Sequence, residues 1–181
     1  MKIITDLQYI KEMAKERDEE NWEFRAFLKQ LGKAPKEMDA TVHAITDQVT
    51  SQIDCTRCAN CCKQSRPVLD QEDITKFALG LKVGVSEFQE QYISQDKENK
   101  TKYIFNELPC SFLKNDQCSN YDCRPKDCRS YPHLHKKGFT SKLLGYIANY
   151  EICPIVFNVY EQLKIELWHN DRSNEHKVEW E

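Results

Sequence analysis

The run Cys55-Thr56-Arg57-Cys58-Ala59-Asn60-Cys61-Cys62 puts four thiols within eight residues. A CxxC pair in a tight turn can aim both sulfurs at one metal about 2.3 Å away. The adjacent pair Cys61 and Cys62 asks for more. In an extended segment, neighbouring side chains point to opposite faces, so the pair suits two mononuclear sites or two sides of one cluster. Downstream lie Pro109-Cys110-Ser111-Phe112-Leu113, then Cys118, then Arg124-Pro125-Lys126-Asp127-Cys128-Arg129-Ser130-Tyr131-Pro132, and finally Cys153-Pro154. Cysteines kept only as small buried apolar residues would scatter, whereas eight of these nine fall between residues 55 and 128.

Nine cysteines against three methionines is the unusual feature of this 181-residue chain. The opening MKIITDLQYIKEMAKERDEE carries charge throughout and lacks an apolar core, so no secretory signal is read there. No apolar run approaches the roughly 18 residues of a membrane span, and no membrane association is expected. Thiols in a reducing cytoplasm serve metals or redox chemistry rather than disulfides, so a cytoplasmic location is expected. A net charge of −3 gives no basic field, and no nucleic-acid partner is expected. Residues 1–54 carry 8 basic and 11 acidic side chains, residues 55–154 carry 15 and 12, and residues 155–181 carry 3 and 6. The cysteine segment is therefore net +3 between flanks of −3 each, which offsets the charge of metal-bound thiolates.

Around the cysteines the pattern is helical. Ile4, Leu7, Ile10, Ala14, Phe24, Phe27, Leu28 and Leu31 recur at three- and four-residue steps, interrupted at Asp18–Glu20. After Gly32 and Pro35, a second helix carries Met38, Val42, Ile45 and Val49. Together they make residues 1–54 a two-helix region that packs on the cysteine domain or offers a surface to a protein partner. Asp70 with Asp73 forms a capping-box pattern, Ser86 reads as the cap of a further short helix, and Tyr103-Ile104-Phe105 as a short strand. Lys114-Asn115-Asp116 reads as a polar turn, and residues 119–142 as a loop that metal ligation must help to fold. Pro154 opens a last helix with the face Ile155, Val159, Tyr160, Leu163 and Leu167, and a fraying polar tail follows His169. The expected fold is mainly α with short irregular or β segments. Its domains are a helical region 1–54, a small cysteine-organised metal-binding domain 55–154, and a C-terminal helix and tail 155–181, forming one compact whole.

The ordered set of motifs, from Cys55–Cys62 through PC-SFL, KNDQ-C-SNY and DC-RPKD-CRSYP to Cys153-Pro154, resembles the CxxCxxCC cluster proteins, a family of zinc- or iron-chelating domains. The resemblance covers roughly residues 50–155. It implies that Cys55, Cys58, Cys61, Cys62, Cys110, Cys118, Cys128 and Cys153 are metal ligands, while Arg124, Pro125, Arg129, Tyr131 and Pro132 match the family's arginine-proline-cysteine-arginine stretch. Cys123 is a ninth cysteine that the pattern does not require.

Zinc and iron, the latter as an iron–sulfur cluster such as 4Fe-4S, use the same thiolate ligands, and both remain open. The run lacks the bacterial ferredoxin spacing and the second CxxC of a zinc ribbon. His133 and His135 follow the cysteine loop and could ligate metal or hydrogen-bond a thiolate, or serve as ordinary loop residues. Arg57, Lys63, Arg66, Arg124 and Arg129 flank the thiols and could stabilise their anionic forms. The expected function is that of a cytosolic metal-binding protein. Two alternatives are a cluster-dependent enzyme that modifies protein substrates, as the flagellin lysine methylases with a similar cysteine cluster do, and a thiol redox sensor or metal-handling protein that uses Cys123. No glycine-rich nucleotide loop or radical-SAM cysteine spacing supports the enzyme.

Overall fold

The computed structural model describes residues 2–169 and divides into two compact units, Met1–Ile53 with Pro132–Glu181, and Asp54–Tyr131. Residues 132–154, part of the cysteine region 55–154 expected from the sequence, cluster with the helices. The first unit is built mainly of helix and the second of short helices, short strands and turns, and among the described residues no helix is long and apolar enough to cross a membrane.

In the helical unit, α1 (Leu7–Glu16) starts at Asp6, whose carboxylate accepts from the Gln8 and Tyr9 amides. The chain leaves helical geometry at Arg17 (φ −103°, ψ 17°) and re-enters α2 (Asp18–Gln30). The expected two helices of the first 54 residues are thus three, because the acidic interruption of the apolar stripe is a real break. Gly32, at φ +66°, turns the chain into α3 (Pro35–Thr50), where proline occupies the first helical position. The predicted stripe Met38, Val42, Ile45 and Val49 is buried on α3.

Two further helices complete the unit. Phe139–Lys142 forms a 3-10 turn leading into α8 (Leu143–Tyr150), and α9 (Pro154–Leu163) runs on into a π-helical turn, Lys164–His169. Of the expected face of α9, Ile155, Val159, Tyr160 and Leu163 are buried, and Val156, Phe157 and Asn158 are buried as well. Helices α1, α3 and α8 pack around it, so it forms the axis of the unit and has little solvent face. The expected fraying tail lies outside the described residues.

The cysteine unit has an apolar half and a thiol half. Its apolar half contains β1 (Val68–Leu69), α5 (Gln71–Leu81), α6 (Val85–Tyr92), β2 (Ile93–Gln95) and β3 (Tyr103–Phe105). The strands form an antiparallel sheet in the order β1-β3-β2, with Val68 opposite Ile104 and Ser94 opposite Ile104 on its other side. Leu69, Ile74, Phe77, Ala78, Phe88, Ile93, Phe105 and Phe112 make one buried cluster. Phe77 is at its centre, with ring centroids 5.4 Å from Phe88, 5.5 Å from Phe105 and 4.7 Å from Phe112. The Asp70–Asp73 capping box opens α5 as predicted. Helix α6 instead begins after Gly84, which leaves Ser86 inside its first turn.

Candidate metal centre

The first four cysteines sit on two short turns joined by a strained residue. Cys55–Arg57 is a 3-10 turn whose preceding Asp54 accepts from the Thr56 amide (3.0 Å) and hydroxyl (2.6 Å). Cys58 closes the turn by donating its amide to the Cys55 carbonyl at 3.3 Å. Ala59 then adopts φ +50°, a left-handed conformation that costs a residue with a side chain on the order of 1 kcal/mol, and α4 (Asn60–Gln64) follows. Adjacent residues of a helix are turned by 100° rather than 180°, so Cys61 and Cys62 do not face opposite ways as an extended segment would require. Their sulfurs are 4.0 Å apart. Two ligands on one tetrahedral zinc stand about 3.8 Å apart, given Zn–S bonds near 2.3 Å. The pair can therefore share one centre.

Later segments are folded back onto this turn. The Cys110 amide donates to the Cys62 carbonyl at 2.9 Å. The hairpin β4 (Leu113–Lys114) and β5 (Gln117–Cys118) places Cys118 opposite Leu113; its two turn residues, Asn115 and Asp116, both take positive φ, as two-residue hairpins prefer. After a 3-10 turn at Tyr121–Cys123 comes α7 (Lys126–Ser130), which bears Cys128. Half of the expected loop over 119–142 is short helical turns, at Tyr121–Cys123, in α7 and at Phe139–Lys142.

Electrostatics make Cys62 the hub. Its charge acts on Cys55, Cys110, Cys118 and Cys128. A hydrogen bond shared with the Cys61 thiol brings Cys62 down to about 7, helped by the charges of Arg124 and Lys63 and opposed by burial. Burial pushes Cys55, Cys110 and Cys118 up. Cys128 is pushed up to about 12, first by burial and then by the charges of Cys62 and Cys110. Such a group resists becoming anionic on its own, and a cation in its midst reverses that balance, since a coordinating thiol is deprotonated outright. The donor set fits a thiophilic metal in its chemistry. Among the described residues, no group of three or more histidine, cysteine, aspartate or glutamate side chains is already arranged to hold one. A metal held by these thiols would have to draw the sulfurs inward.

The flanking cations divide by role. Arg124 lays its guanidinium 3.3 Å from the Tyr121 ring centre, its buried Nε lacks a hydrogen-bond partner, and its charge favours the thiolates of Cys62, Cys55 and Cys118. Lys63 pairs with Asp116, Arg66 donates to the Asn106 carbonyl at 3.4 Å, and the charge of Arg57 acts on Asp54. Arg129 is exposed.

Cys123 packs against α5, where a Cβ built on Gly80 would stand 2.7 Å from its sulfur and 2.3 Å from Asn120 Oδ1. Asn120 in turn donates to the Phe77 carbonyl at 2.9 Å. Cys153 belongs to the helical unit, buried at the N-cap of α9. His133 and His135 belong to that unit too: the His133 carbonyl accepts from the Tyr146 hydroxyl, and His135 Nε2 lies 2.9 Å from Asp47.

Sequence reasoning missed Asp73 and Asp127 as structural partners of the site. Asp73 Oδ1 accepts from the Lys126 amide at 2.9 Å, and Asp127 Oδ2 from the Val68 amide at 3.1 Å. The capping-box pattern singled out Asp73 but gave no sign of its second partner.

A family model named CxxCxxCC and described as "Putative zinc- or iron-chelating domain" matches residues 54–154. No curated protein and no solved structure matches the chain.

Proposed function

Because the chain belongs to the CxxCxxCC family of zinc- or iron-chelating domains, we propose that its Asp54–Tyr131 unit holds zinc or iron through the thiolates of Cys55, Cys58, Cys61, Cys62, Cys110, Cys118 and Cys128. The observation that carries this reading is the meeting of segments at Cys62: its sulfur lies 4.0 Å from that of Cys61, and its carbonyl accepts from the Cys110 amide at 2.9 Å. Zinc bound there would cross-link those segments, and iron in a cluster would add one-electron chemistry. The chain's own contributions are three. The turns at Cys55–Arg57 and Asn60–Gln64 present sulfurs at short spacing, the Cys110–Cys62 backbone bond brings the second segment to the first, and Arg124 offsets the negative charge of the thiolates. Thiols at this density suit a reducing compartment such as the cytoplasm.

The test is the zinc and iron content of anaerobically purified protein and of three variants. Cys62→Ser and Cys128→Ser lose metal, whereas Cys123→Ser keeps it, because that sulfur packs against Gly80. Undiminished metal in both of the first two variants overturns the reading.

A further inference from the structure

Helix α7, which carries Cys128, has five residues, and its N-cap Pro125 supplies no side-chain hydrogen bond. A helix this short does not hold its shape alone, and its first amides need acceptors. One acceptor comes from another helix. Asp73 of α5, 4% exposed, accepts from the amide of Lys126, the first residue of α7, through Oδ1 at 2.9 Å. Its Oδ2 takes the Asp70 amide at 3.3 Å, and the Asp73 amide donates back to Asp70 Oδ1 at 2.9 Å. One buried carboxylate therefore completes the capping box of α5 and caps α7 in trans. The first turn of α7 is also tied to β1 by the bond from the Val68 amide to Asp127.

We propose that Asp73 is a positioning residue for the metal centre: by capping α7 from α5 it fixes the place of Cys128, two residues into α7, relative to α5. The inference rests on the proposed function. Its chemistry is that of an outer-shell hydrogen bond, which orients a ligand that it does not itself replace.

Two pairs of variants separate this role from the capping of α5. Lys126→Pro removes the donating amide while leaving Asp73 untouched. Proline suits the first helical position, and Pro125 already has the extended ψ of 154° that a following proline requires. Lys126→Ala keeps the amide and removes only the ammonium. Asp73→Ala removes both bonds, while Asp70→Ala disrupts the α5 box and the 3.3 Å contact with the Lys126 ammonium but leaves the bond from the Lys126 amide to Asp73. The readout is the rate at which the full chain releases its zinc or iron to a colorimetric chelator, with metal content measured at the start. Lys126→Pro and Asp73→Ala release metal about 10–100-fold faster than wild type, whereas Lys126→Ala and Asp70→Ala stay near it. If Lys126→Pro matches Lys126→Ala, or if Asp73→Ala merely matches Asp70→Ala where the proline variant does not fold, Asp73 acts only on α5 and the proposal is overturned. A wild-type chain that holds neither zinc nor iron fails earlier and overturns the functional reading itself.

Discussion

Removing the metal from the intact chain should loosen one half of the cysteine unit and spare the other. The apolar half buries Leu69, Ile74, Phe77, Phe88, Ile93, Phe105 and Phe112, each worth about 1.5–3 kcal/mol of transfer free energy. By contrast, Ala59 is the one buried apolar side chain between Asp54 and Gln64, and its methyl contributes on the order of 0.8 kcal/mol. On the proposed function that turn draws its order from ligation, which contributes roughly 10–16 kcal/mol at a structural zinc site. Hydrogen exchange followed by mass spectrometry reads the difference residue by residue. On chelation, the amides of Cys58, Cys62 and Cys110 should exchange at least about 100-fold faster, a loss of about 2.7 kcal/mol. Those of Ile74, Phe77 and Ala78 in α5 should change by less than about tenfold. Acceleration of the α5 amides in step with the cysteine turn would refute the separate core and make the whole unit metal-dependent.

Gly80→Ala places a methyl into Cys123 and Asn120, and should destabilise the cysteine unit by about 1–3 kcal/mol in urea unfolding; Cys123→Ala in the same chain should recover part of that loss. Lys164 is 1% exposed between Glu20 and Glu161, and burial brings its amine down to about 8 from 10.5. The unfolded chain then binds the extra proton between those values, so stability should rise with pH, by about 2 kcal/mol from about pH 7 to about pH 9.5, and Lys164→Met should flatten that slope. Burial holds the Tyr150 and Tyr160 phenols above their ordinary value, so their opposing effect begins only near pH 10. Asp39 accepts from the Phe139 and Gly138 amides at 2.9 and 2.8 Å, which hold its carboxyl below its ordinary value of 3.8. Asp39→Ala should cost about 3 kcal/mol at neutral pH, and the difference should vanish in acid as the wild-type carboxyl protonates.

The pattern of apolar residues made the α3 stripe, the α5 capping box, the strand Tyr103–Phe105 and the turn at Asn115–Asp116 legible in advance, because each rests on local periodicity or local turn chemistry. The break at Arg17 was visible only as an interruption of the stripe, since a charged segment reads alike in an exposed helix and at a junction. Helix α9 buries the face its sequence shows, and its burial extends beyond that face. Its apolar residues exceed one face, and full burial depends on how many helices surround it, which is a tertiary property. Helix α7 has too few residues to show a period, and its stability comes from Asp73, fifty-three positions away. For the site, the close spacing of Cys55, Cys58, Cys61 and Cys62 corresponds to two short turns that follow one another in the chain. The assumption of an extended segment separated the last two, which α4 holds 4.0 Å apart. The packing role of Cys123 needed Gly80 beside it, and no spacing rule links those positions.

The most direct measurement is elemental analysis for zinc, iron and labile sulfide on untagged, anaerobically purified protein, with its absorption spectrum. Zinc or iron at about one equivalent or more per chain, retained through gel filtration and lost in Cys62→Ser, is the predicted result. A chain that carries neither metal, and that takes up neither when reconstituted under reducing conditions, contradicts the account.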